Sequence, residues 1–112
     1  MKNVKIFIRV HDKDMQKATK GALEGKDYVD VVVEDIASAE ERMVDIAIVG
    51  LNNYQGKLLA DKLRDIIPGV KVIPFFSDHV DYGDVNTVCT DISRIDEIIK
   101  DLIKEKEKTK VS

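Results

Sequence analysis

The chain of 112 residues, 44% hydrophobic and 35% charged, is long enough to bury roughly two-thirds of its unfolded surface in one core and too apolar to stay disordered. Its net charge of -3 and pI near 5.4 give no overall attraction for phosphate backbones or anionic lipid, which sets nucleic-acid and membrane partners aside. The single cysteine, Cys89, excludes an intrachain disulfide, and with no apolar N-terminal h-region and no run near the ~20 apolar residues of a membrane span, the expected location is cytoplasmic.

Val4, Ile6, Ile8 and Val10 alternate with Lys5, Phe7 and Arg9, the period of a first strand. Met15, Ala18, Thr19, Ala22 and Leu23 then recur at helical spacing, with Asp12 or Asp14 placed to cap the first turn and Gly25 to end the helix. Residues 28–33 are rich in β-branched side chains and stop at Glu34 and Asp35, as a short buried strand does. Ser38 and Glu41 have the spacing of a capping box, which predicts a helix of a turn or two starting there. The apolar run 45–51 is the pattern of a central strand covered on both faces.

Residues 52–56 read as a loop, followed by a helix carrying Leu58, Leu59, Leu63, Ile66 and Ile67 and ended by Pro68 and Gly69. A fourth strand covers 70–76, where Pro74 cannot donate to a ladder and points to an edge or an irregular end. Residues 77–84 have neither period and read as loop. A fifth strand over 85–89 precedes a helix with an apolar stripe of Ile92, Ile95, Ile98, Ile99, Leu102 and Ile103. One domain is expected over 1–103, with 104–112 a charged tail that frays.

Strands alternating with helices predict an α/β fold with five parallel strands in the order 2-1-3-4-5, and ligand chemistry in such a sheet gathers at the carboxyl ends of the strands near the first and third. The segment 45–73 contains a strand, a loop with Gly56, a helix with Leu63-Arg64 and then Pro68. In these features it resembles the middle of a response-regulator receiver domain. The resemblance implies a flavodoxin-like, three-layer αβα architecture. It also marks departures. Gly50 stands where a receiver carries its phosphoaccepting aspartate, and Thr90-Asp91 stands where it keeps a lysine. Ser77 matches the hydroxyl after the fourth strand, and Asp12 and Asp14 match, in shifted positions, the acidic pair after the first. Residues 77–84 are too few for the usual fourth helix, which is expected to be short or absent.

A receiver-like domain without its phosphoacceptor implies a regulatory module that acts by protein contact in signalling or assembly, not an enzyme, and without a cofactor. Its partner is a protein, with a homodimer as one form, and Tyr82 and the exposed sides of the last helix are the surfaces it would offer.

His11, Asp12 and Asp14 supply metal-ligand residue types, but a magnesium site of this kind needs a further carboxylate from the third strand, where Gly50 stands, so capping is the expected role and no metal is expected. Asn52 and Asn53 suit either a ligand or a turn. Ser77, Asp78 and His79 are triad residue types that point in different directions when consecutive, and no nucleophile elbow is present. Cys89 reads as buried more readily than reactive. Neither phosphate-cradling glycine motif occurs. The alternative function is small-molecule or cofactor binding at the strand ends, with Asp12, Asn52, Ser77 and Thr90 lining a pocket in which Gly50 leaves room.

Overall fold

The alternation of Val4, Ile6, Ile8 and Val10 is realised in a computed structural model that describes residues 3–75 and 92–111, where these residues form the central strand β1 (Val4–Val10). The sheet continues with β2 (Val29–Val33), β3 (Ile46–Gly50) and β4 (Lys71–Pro74), all parallel and in the order β2-β1-β3-β4. The helices are α1 (Lys13–Glu24), α2 (Ile36–Arg42), α3 (Asn53–Ile66) and α4 (Ile92–Val111). A parallel α/β domain with this order is consistent with a flavodoxin-like fold. The expected fifth strand at 85–89 and the interval 77–84 lie outside the described residues.

The period of two in β1 and β3 sorts the core into two layers. Ile6, Ile8, Ile46, Ile48 and Ile73 pack with Leu23 of α1 and with Ile95, Ile98 and Ile99 of α4. Phe7, Ala47, Val49 and Val72 pack on the other face with Ala39 of α2 and with Ala60 and Leu63 of α3. Ile6, Phe7, Ile8 and Ile48 are fully buried, and each contributes about 1.5–3 kcal/mol by burial. Val49 pairs with Pro74 in the β3–β4 register, so the proline sits at the end of the edge strand of the described sheet, where its missing N–H is least costly.

Two helix starts differ from the sequence reading. The helix expected to begin at Ser38 begins at Ile36, because Asp35 is the cap: its carboxylate accepts from the Ser38 N–H at 2.8 Å and from the Ser38 hydroxyl at 2.9 Å. Those two bonds hold the Asp35 carboxyl below the usual carboxylate range. The segment 52–56, expected as loop, is the start of α3, since Asn52 caps it and its carbonyl accepts from the Gly56 N–H at 2.7 Å. The short α2 ends on Met43 in the left-handed region, φ 52°, with its N–H turned back to the carbonyls of Ala39 and Glu40.

α4 is tied to the segment before β2 through the Asp96 carboxylate. The Tyr28 hydroxyl, just before β2, donates to the Asp96 carboxylate, and Lys26 and Lys100 lie 3.9 and 3.2 Å from the same carboxylate. Burial and the adjacent carboxylate push the Tyr28 phenol well above its ordinary value, while the phenol's hydrogen bond holds Asp96 below the carboxylate range.

Candidate functional site

β1 and β3 end side by side, and the His11 N–H donates to the Gly50 carbonyl at 2.9 Å, so the first residues after both strands share one edge. Asp12 lies there as the cap of α1: one carboxylate oxygen accepts from the Asp14 N–H at 2.8 Å and from the Met15 N–H at 3.1 Å. Asn52 does the same for α3, accepting from the Gln55 N–H at 2.8 Å. Each cap is worth about 1 kcal/mol. Asp14 is exposed in the first turn of α1, where a carboxylate complements the helix dipole. Thus Asp12, Asp14, Gly50 and Asn52 occupy the same edge, while Ser77 and Thr90 lie outside the described residues. No group of three or more His, Cys, Asp or Glu side chains able to hold a metal occurs among the described residues.

Gly50 is buried, and the direction its side chain would take is already filled. A Cβ there would lie 2.7 Å from the Phe75 carbonyl oxygen and 3.3 and 3.4 Å from the two methyls of Val10. The Phe75 carbonyl cannot swing away freely, because the Phe75 N–H donates to Val49 at 2.9 Å and the Phe75 side chain is fully buried. The room expected beside Gly50 is therefore occupied by backbone, and the glycine is there for close approach of two strands.

Space opens instead on the other side of β1. A groove of about 690 Å³ lies between the end of β1, α1 and the end of β2. α1 contributes Lys13, Gln16, Lys17 and Lys20, a stripe at i, i+3, i+4 and i+7, and β1 contributes Arg9 and Val10, followed by His11 just after the strand. Glu34, the residue just after β2, closes it from the far side.

Gln16 organises this groove. Its Oε1 accepts from the Val10 N–H at 2.9 Å and its Nε2 donates to Glu34 Oε1 at 2.9 Å, so one amide bridges the ends of β1 and β2. Only this amide orientation satisfies both partners, since the N–H can only donate and the carboxylate only accept. Lys20 Nζ donates to Glu34 Oε2 at 3.3 Å, and the Arg9 guanidinium donates to the Glu34 backbone carbonyl at 3.2 Å while lying 5.8 Å over the Phe7 ring. The Gln16 amide first, then Lys20, holds the Glu34 carboxyl below the usual carboxylate range. Lys13 and Lys17 are exposed and have no ion-pair partner among the described residues.

The sequence reading followed the apolar stripe of α1 and passed over the polar stripe beside it. The i, i+3, i+4, i+7 spacing of Lys13, Gln16, Lys17 and Lys20 was the available signal. Nothing local in the sequence pairs Gln16 with Glu34, which depends on β2 lying next to β1.

A second surface lies on α3, whose outer face carries Tyr54, 75% exposed, and Leu58, 56% exposed, one turn apart. No helix among the described residues is long and apolar enough to cross a membrane. In comparisons with protein-family models, curated proteins and solved structures, nothing matches the chain.

Proposed function

We propose that this chain is a receiver-like regulatory module that works through protein contacts and takes up no phosphoryl group. The observation that carries the reading is Gly50: the position of the missing phosphoacceptor lacks a carboxylate and is also packed against a backbone carbonyl, so an acidic side chain cannot be restored there without moving β4. Asp12 and Asn52, which stand where acidic or ligand-facing groups would be needed, each commit a side-chain oxygen to a helix cap. Tyr54 and Leu58 provide an exposed apolar pair of the kind that protein contacts cover, with a second copy of the chain as the first partner to consider.

Two measurements test this reading. Gly50→Asp incubated with acetyl phosphate is expected to remain unlabelled, and stoichiometric labelling would overturn the claim that the site as a whole is lost. Sedimentation velocity of the wild-type chain is expected to show self-association that Tyr54→Ser/Leu58→Gln removes. A wild-type monomer at every concentration would transfer the contact reading to a different protein.

A further inference from the structure

We propose that the groove between β1, α1 and β2 binds a phosphate-bearing small molecule, with its phosphoryl oxygens held by Lys13 and Lys17. This stands apart from the contact reading, and either can fail without the other.

The charge balance of the groove is the first argument. The chain is acidic overall, yet the groove gathers Arg9, Lys13, Lys17 and Lys20 against a single lining carboxylate, Glu34. Glu34 is already committed to Gln16 and Lys20. Lys13 and Lys17 are left with uncompensated charge, because Asp12 and Asp14 adjoin the groove without lining it and the Asp12 carboxylate is turned to the cap. The placement also opposes local helix physics. Lys13 sits in the first turn, at the positive end of the dipole, Lys17 is its like-charged i+4 neighbour, and the last turn of α1 carries no basic residue. Local rules are broken most often where a functional site requires it.

Size and shape argue for the class of ligand. Small-molecule pockets run to roughly 300–1,000 Å³, and this groove at about 690 Å³ exceeds what a bare phosphate fills. Lysine ammonium groups act as separate point charges that suit phosphoryl oxygens spread in space. The aliphatic stems of the lysines leave an apolar wall for an organic moiety. The Gln16 bridge fixes the floor by joining the ends of β1 and β2, so the groove is preformed. The ligand reading drawn from the sequence thus moves from the Gly50 side of β1 to the α1 side.

Two-dimensional 15N NMR with four probes tests the proposal: ADP, inorganic phosphate, adenosine and citrate. ADP is expected to give saturable shifts clustered on amides 9–20 and 34, phosphate weaker shifts at the same positions, and adenosine none. Lys13→Gln/Lys17→Gln is expected to weaken ADP binding by roughly tenfold or more. Glu34→Gln, which removes the competing carboxylate, is expected to tighten it. Both lysines are exposed and glutamine is a good helix former, so the double variant keeps the fold. As an independent check on the wild-type chain, added salt is expected to weaken ADP binding. Absence of saturable shifts, shifts scattered away from the groove, equal shifts from citrate, or unchanged binding by the double variant would each overturn the assignment.

Discussion

The last residue of β1, Val10, has two different neighbours. On the β3 side its methyls crowd Gly50, and the Phe75 carbonyl completes a contact too tight for one added carbon. On the β2 side its N–H is satisfied by the Gln16 side chain, and a groove lined by lysines opens beyond. In a doubly wound sheet the edge between the first and third strands is where ligands are sought first. Here the place a Gly50 side chain would take is filled by backbone, and a groove opens at the adjacent edge. A glycine at a strand end therefore does not imply open space beside it, because the backbone of a neighbouring segment can fill the place of its side chain.

The largest effect should come from filling the closed side. Gly50→Ala is expected to cost about 1–3 kcal/mol in urea unfolding, the range for overpacking a filled site. A loss under about 0.5 kcal/mol, within the range of ordinary surface changes, would mean that the Phe75 carbonyl yields and that the position is not filled. Next is the bridge on the open side. Gln16→Ala removes the partner of the Val10 N–H and should cost about 1 kcal/mol, with faster amide exchange at Val10. Lys13→Gln/Lys17→Gln should shift stability by no more than about 0.5 kcal/mol, and toward stabilisation, since it relieves like charges one turn apart. A clear destabilisation would show that these lysines hold the fold together. The smallest effect is a pH dependence. The Glu34 carboxyl is depressed in the folded chain, so its contribution is present above its unfolded value near 4.5 and disappears as pH falls through the lower folded value. Because the pair with Lys20 is largely exposed, the stability difference between wild type and Glu34→Gln should be a few tenths of a kcal/mol at neutral pH and vanish in acid.

Most of the described sheet was legible from the sequence. Alternation in 4–10 and the apolar run near 46–50 identify strands because burial on one or two faces leaves a period that can be counted. The cap of α1 was narrowed to Asp12 or Asp14 from position alone, and Asp12 is the one that caps. Ser38 misled because Ser-x-x-Glu and Asp-x-x-Ser overlap in this stretch, and the carboxylate of Asp35 captures both donors of Ser38 first. Gly50 was read as leaving room for a ligand, yet the place of its side chain is filled by the carbonyl of Phe75, the residue just after β4. Gln16 and Glu34 went unnoticed for the same reason, as their 18-residue separation in sequence is closed only by the pairing of β1 with β2.

The tie from Tyr28 to Asp96 spans 68 positions of sequence, and the layer it clasps has an order of assembly built into it. Ile6, Ile8, Ile48 and Ile73 leave the ribosome well before Ile95, Ile98 and Ile99, the side chains that cover them. A nascent chain that has made all four described strands has α1 on this face of its sheet but not yet the side chains of α4. Until residues 92–103 have emerged, this half of the core is a surface open to chaperones, and a translational pause before Ile92 would prolong that exposure.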